Sequence, residues 1–409
     1  VARRMCSFEC YRHRAILDRM DRRRQQRTCV GSRPLKPCRL TPDRGEAEGT
    51  HVFQSMNRRM FAAAIAGIGL ALAACVSQPA TQPSPVDGVH FRMVETNGIK
   101  LRVAEAGSKD QPLVLLVHGW PESWYSWRHQ IPAIAAAGYH VIAPDMRGYG
   151  GSDKPANVHD YNVKHLADDL IGLLDAYGAD KATIIGHDWG SIVTWNTVLL
   201  HPDRFKAMIA MSVPNSGRGA TPPLDGMKRA YGENFYYILY HQEPGVAEAE
   251  YDSDPRGLLS RLYASSDTPR DPPTVTDPKR VAGGWIPRMG KPRALPSWLG
   301  EKDLDYFVGE FTRAGFRGGV NYYRNFNRNW EITPELTGAR IKIPVAFFAG
   351  EDDVVIRGAK ADGLRASMSK GVADDLRDVT LIPGAGHWIQ QEKPQETNAF
   401  ILNFLKSVK

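Results

Sequence analysis

From residue 89 to the C-terminus, short apolar runs of strand length alternate with longer stretches whose apolar positions recur at helical spacing. Such alternation predicts a mostly parallel sheet covered by helices. Eight strands are expected, at residues 91–96, 99–106, 113–117, 139–143, 182–185, 207–212, 345–349 and 379–382. Helices are expected at 123–137, 163–177, 191–201, 358–369 and 394–407. Between Pro214 and Leu336 the rhythm changes to aromatic, helix-like segments broken by a loop with seven prolines from Pro269 to Pro296. The strand pattern returns at Ile343. Residues 214–336 therefore read as a helical cap inserted into a core made of residues 89–213 and 337–409. No internal repeat is visible, which excludes a solenoid.

Composition changes the picture only at the N-terminal end. The net charge of +7 divides unevenly: residues 1–55 hold 13 Arg and Lys against 6 Asp and Glu, and residues 60–409 hold 37 against 39. A nucleic-acid-binding protein needs its basic excess on the folded part, so no nucleic-acid partner is expected. All five cysteines, Cys6, Cys10, Cys29, Cys38 and Cys75, precede residue 76, so the body can form neither a disulfide nor a thiolate metal site.

Residues 56–75 pair Arg58-Arg59 with 15 uncharged residues from Met60 to Ala74. That run is short for a membrane span and suits the apolar region of a signal peptide. It ends in Leu72-Ala73-Ala74-Cys75, which resembles the lipobox of bacterial lipoproteins, and Arg58-Arg59-Met60-Phe61 resembles a twin-arginine signal. The resemblance implies lipidation at Cys75 and an exported, membrane-anchored protein of the cell envelope; a cytoplasmic protein is expected if the leader is unused. Residues 76–88 read as a polar, Pro-rich linker. Residues 1–55, Arg-rich and aperiodic, read as a leader without function, or as an over-long start upstream of Met56.

Chemistry first shows at Gly186-His187-Asp188-Trp189-Gly190, where an apolar strand meets a helix with small residues on both sides of a central Asp188. This is the spacing of a nucleophile elbow, in which close backbone approach demands the glycines. Taken alone it reads more readily as an ordinary tight turn with an Asp helix cap. Two later strands end in Gly350-Glu351-Asp352-Asp353 and in Gly386-His387, giving the chain order nucleophile, acid, base. Asp353 is preferred to Asp352 as the acid, and His387 is the base. His118-Gly119-Trp120-Pro121 follows the strand at 113–117, so the amides of Trp120 and Trp189 are the expected oxyanion-hole donors.

With these residues in view, the chain resembles the soluble epoxide hydrolases of the α/β-hydrolase superfamily. Residues 118–128 (HGWPESWYSWR), 186–190 (GHDWG), 242–250 (QEPGVAEAE) and 315–325 (GFRGGVNYYRN) carry the likeness, which spans nearly all of 89–409. It implies an α/β-hydrolase fold with an inserted helical cap. It also implies two cap tyrosines that bind the epoxide oxygen, Tyr237 and Tyr323 by position, although a one-residue slip would exchange Tyr237 with Tyr236. The extra phosphatase domain of the mammalian members has no counterpart here, so a single activity is expected.

The implied reaction opens a small-molecule epoxide by attack of Asp188, forms an aspartyl ester and hydrolyses it to a vicinal diol, with no metal or organic cofactor. A serine at that position would form an ether that water cannot hydrolyse. A haloalkane or haloacid dehalogenase is the nearest alternative, but a halide leaving group needs N–H donors rather than paired phenols. A non-catalytic ligand-binding protein of the same fold is the other, and its usual sign, a broken triad, is missing.

Overall fold

The computed structural model describes residues 83–265 and 268–408. An eight-stranded sheet runs in the order β1-β2-β4-β3-β5-β6-β7-β8. Its strands are β1 (His90–Thr96), β2 (Ile99–Ala106), β3 (Leu113–Val117), β4 (His140–Pro144), β5 (Ala182–His187), β6 (Phe205–Met211), β7 (Ile341–Gly350) and β8 (Ala373–Ile382). β2 pairs antiparallel with β1 and β4, and every other pairing is parallel. β3, β4 and β5 are buried at every position. A parallel strand covered on both faces needs such an unbroken apolar run.

Core helices α1 (Gln130–Ala136), α2 (Val163–Ala176) and α3 (Trp189–Leu200) lie between the early strands. The helical insertion follows β6, with α4 (Pro223–Tyr231), α5 (Tyr237–Tyr240), α6 (Val246–Ser253), α7 (Pro255–Tyr263), α8 (Glu301–Ala314), α9 (Arg317–Arg324) and α10 (Phe326–Ile332) all preceding β7. Then come α11 (Ala361–Gly371), α12 (Ile389–Glu392) and α13 (Pro394–Ser407).

Two expectations need correction. The helix expected at 123–137 is a 3-10 turn at Trp124–Trp127 followed by α1. Tertiary bonds override the helical pattern there: Trp124 N–H donates to Asp145 (3.2 Å), and Arg128 donates to Gln391 (2.7 Å) and pairs with Asp303 (3.1 Å). β8 begins six residues before the expected 379. Its first six residues carry Asp374, Asp375, Arg377 and Asp378, and charge is how an edge strand discourages further pairing.

The insertion is tied to the sheet by buried polar contacts. Arg102 on β2 reaches Asp145 at 2.6 Å and Glu310 on α8 at 2.8 Å, with both carboxylates buried. Tyr322 O–H on α9 donates to the Arg147 carbonyl (2.9 Å), and Tyr263 O–H on α7 to the Pro121 carbonyl (2.5 Å). Each bond satisfies a group that burial would otherwise penalise. Together they tie the insertion to β2 and to the loops that follow β3 and β4. The expectations for residues 1–82, Cys75 included, lie outside the described residues. No described helix is long and apolar enough to cross a membrane.

Candidate active site

β5 ends at His187, and the chain turns into α3 at Asp188 with φ 54° and ψ −120°. A residue bearing a side chain reaches that backbone region only at a cost of about 1–3 kcal/mol, so the surrounding packing must impose it. The packing is visible at the flanking glycines. A Cβ on Gly186 would lie 2.2 Å from the Gly190 carbonyl oxygen, and one on Gly190 would lie 2.0 Å from that of Val117. Only glycine fits at either position, and the turn lifts Asp188 clear of the sheet.

The two oxygens of Asp188 meet different groups. Oδ1 accepts a hydrogen bond from the Trp120 amide at 2.8 Å, and Oδ2 lies 3.4 Å from His387 Nε2. Trp189 is the first residue of α3, so its amide belongs to the first turn, which has no acceptor within the helix. Asp188 is the N-cap of α3, at the positive end of the helix dipole, and its carboxylate makes no capping bond to the helix.

His387 Nδ1 sits 2.9 and 3.0 Å from the two oxygens of Asp353, which is fully buried and also accepts from the Val355 amide at 2.9 Å. Burial would raise the Asp353 carboxyl, but His387 and these donors more than offset it and hold it below the ordinary range. Asp352 is exposed and takes no part in this pair. Burial pulls His387 down, yet Asp353 and Asp188 outweigh it and push the imidazole well above its usual value. The resting site can therefore hold a proton on His387 between two carboxylates.

Tyr237, the first residue of α5, and Tyr323 on α9 meet edge to face with ring centroids 5.7 Å apart. Tyr237 stacks on Trp285 at 4.7 Å, and Tyr323 meets Trp120 and Trp189 edge-on at 5.6 and 5.1 Å. Both line one cavity of about 330 Å³ with Asp188, His387, Trp120 and Trp285. Burial first, then their neighbours, raise both phenols well above 10, so both remain O–H donors at neutral pH. Tyr236 is not on this cavity and stacks on Tyr231 at 4.1 Å. Tyr240 donates to Glu250 (2.9 Å), and Tyr322 serves the Arg147 carbonyl.

Sequence reasoning passed over the groups that hold His387 in place. His187, fully buried, donates from Nε2 to the His387 carbonyl at 2.7 Å and places Nδ1 2.8 Å from Glu122. Ser212 Oγ donates to the same carbonyl at 3.2 Å. Glu122 also accepts from the Gly119 amide (2.8 Å) and from Gln390 (2.8 Å) and Gln391 (3.3 Å). Burial opposes its charge, but His187 and these donors keep Glu122 below the ordinary carboxylate range. On the other side, Glu392 accepts from the amides of Gly386 (2.7 Å) and Trp388 (2.9 Å), which flank His387. Glu122 and His187 both lie inside motifs already singled out, yet nothing in the spacing said they would share a bond. Among the described residues no group of three His, Cys, Asp or Glu side chains could hold a metal ion.

An arrangement of this kind can attack carbon through a carboxylate, deliver a proton from a phenol, and activate water through an imidazole. Residues 112–394 match the family model for the alpha/beta hydrolase fold. The chain is 48% identical over 317 residues to epoxide hydrolase A of Mycobacterium tuberculosis, covering 77% of this chain and 96% of that protein. It is 40% identical to epoxide hydrolase 3 of Siraitia grosvenorii, covering 78% and 99%. The crystal structure of epoxide hydrolase A from Mycobacterium thermoresistibile superposes with a TM-score of 0.72 at 46% identity, over 78% of this chain and 99% of that one. The chain belongs to the epoxide hydrolases of the α/β-hydrolase fold.

Proposed function

We propose that the protein converts epoxides to vicinal diols through an ester on Asp188. The observation that carries this reading is the pair of phenols, half-buried Tyr237 and buried Tyr323, lining the same cavity as Asp188 and His387. A departing epoxide oxygen is a strongly basic alkoxide, and two O–H donors suit it as they would not suit a halide.

The unequal surroundings of the Asp188 oxygens support Oδ2 as the attacking atom, with Oδ1 left on the Trp120 amide. Oδ2 bonds to one epoxide carbon, the ring C–O bond breaks toward oxygen, and a phenol protonates that oxygen. The proton held on His387 then restores the phenol and leaves a neutral imidazole. Loss of the Asp188 charge on esterification favours that release, because Asp188 is one of the two anions raising His387. His387 next takes a proton from water, which attacks the ester carbonyl, and the Trp120 and Trp189 amides stabilise the oxyanion. The alkoxide leaves, takes the carboxyl proton and departs as the diol. Asp353 keeps the imidazole oriented throughout.

The test is a diol-formation assay across terminal and aryl epoxides, with 1-chlorobutane alongside. Diol from at least one epoxide and no chloride release is expected; chloride release without diol would replace this reading with a dehalogenase. Exchange of Tyr237 and Tyr323 together for Phe should slow ring opening by more than about 100-fold, and either exchange alone by far less, because one donor partly covers for the other. Rapid mixing that follows active-site Trp fluorescence checks this. Near-wild-type alkylation in the double variant would mean that other donors act.

The same proposal extends to location. The Arg58-Arg59 pair, the apolar run and Cys75 support export and lipidation, with residues 76–88 as a tether and residues 214–336 as the cap over the site. Expressed in a suitable bacterium, the chain should be cut before Cys75 and partition into detergent. Cys75→Ala should lose the partitioning and keep the activity. An uncut wild-type chain in the cytosol would contradict this.

A further inference from the structure

Two phenols that converge on one oxygen need a fixed spacing, and the helices that carry them do not set it alone. α5 is a single turn, Tyr237–Tyr240, and its N-cap Tyr236 makes no side-chain cap bond. A helix of one turn does not hold itself in water. Tyr323 comes from α9, on the other side of the Pro-rich loop. The two rings touch, but an edge-to-face contact is satisfied at centroid separations of about 4.5–7 Å and leaves the hydroxyls free to shift.

Hydrogen bonds of defined length tie the two helices instead. Gln242, two residues past α5, donates from Nε2 to the Ile238 carbonyl (2.8 Å) and to the Tyr323 carbonyl (3.1 Å). One amide group thus joins the neighbour of Tyr237 to Tyr323 itself. Arg324, the last residue of α9, has a side chain only 5% exposed. Its Nε donates to the His241 carbonyl (2.9 Å), and its Nη2 to the Glu243 carbonyl (3.0 Å) and to Glu248 Oε2 (2.8 Å). Nη1 donates to Glu248 Oε1 and to Asn321 Oδ1 (2.8 Å), so every N–H of the guanidinium is used. Ile238 and the C-cap His241 belong to the end of α5, where carbonyls need donors from outside the helix. Glu248 on α6 also accepts from the Gly245 amide (3.1 Å), so α5, α6 and α9 meet on one side chain.

We propose that Gln242 and Arg324 are positioning residues that set the distance between the two phenols, so that both O–H groups reach one epoxide oxygen. Neither side chain lines the catalytic cavity, and each acts through the backbone of the helices that do. The inference rests on the epoxide-opening reading above. Loss of the clamp should impair ring opening, which uses the phenols, and spare ester hydrolysis, which uses His387 and the two amides.

The test is single-turnover rapid mixing of the full chain, in excess over the most rapidly converted epoxide of the terminal and aryl panel, with Trp fluorescence resolving ester formation from ester breakdown. Gln242→Met keeps much of the shape and removes both N–H donors. It should slow ring opening by about tenfold, since a misplacement on the order of 1 Å can cost even more, and leave hydrolysis within about twofold. Arg324→Lys keeps the charge beside Glu248 but not the planar fork, and should do the same. Adding Tyr323→Phe to Gln242→Met should cost no more than about twofold further, because the second phenol is already out of reach. Rate constants taken with enzyme in excess do not depend on the folded fraction. Unchanged ring opening in either variant, equal slowing of both steps, or a Tyr323→Phe loss that multiplies in full overturns the clamp, while diol from the wild type still supports epoxide opening. No diol from any epoxide of the panel overturns both.

Discussion

Asp188→Ala should reduce diol formation by at least about 10⁴-fold and abolish covalent labelling, while epoxide binding persists. The size of the effect follows from the role. Without the carboxylate there is no atom to attack the ring, and the ordered amides and phenols can only bind and polarise it. The fold should tolerate the change, because the Asp188 side chain makes no capping bond to α3 and its strained backbone is imposed by Gly186 and Gly190 rather than by its carboxylate. Binding can be followed through Trp120 and Trp285, which line the cavity. Turnover within tenfold of wild type would remove Asp188 from the mechanism.

His387→Gln should separate the two halves of the reaction. Ring opening needs Asp188 and the phenols, so ester formation should continue, and hydrolysis should slow by at least about 10³-fold for want of a base. Intact-mass measurement after incubation with substrate should then find the chain heavier by one substrate molecule, with the added mass mapping to the Asp188 peptide. An unmodified chain in the presence of demonstrated binding would count against a covalent route. The variant should fold, since the contacts that hold position 387 are made by its carbonyl and by the neighbouring amides.

The sheet was legible because parallel strands buried on both faces must be apolar throughout, and β3 and β5 are just such runs. β8 was truncated in the reading because its edge position permits charge at Asp374 and Asp375, which hides a strand from any apolar pattern. Asp188 and its elbow could be recognised from local spacing, since Gly186 is required by the Gly190 carbonyl four residues on, whereas the contact that requires Gly190 comes from Val117, far away in the chain. Glu122, His187 and Glu392 could not be assigned in this way. Their parts depend on bonds that cross from the β3 loop to β5 and from α12 back to the loop carrying His387, and chain spacing does not encode such pairings. Tyr236 and Tyr237 are adjacent in sequence, and only the packing of Tyr236 on Tyr231 separates their surroundings.

The central claim is that an oxygen of Asp188, not of water, enters the diol first. A single turnover in ¹⁸O-enriched water, with enzyme in excess over epoxide, tests it most directly. Hydrolysis at the ester carbonyl leaves the attacking Oδ2 with the product, so the first diol should carry no label and the Asp188 carboxylate should gain it. A fully labelled diol in that first turnover, with an unlabelled Asp188, would mean that water attacks the ring directly and that no aspartyl ester is formed.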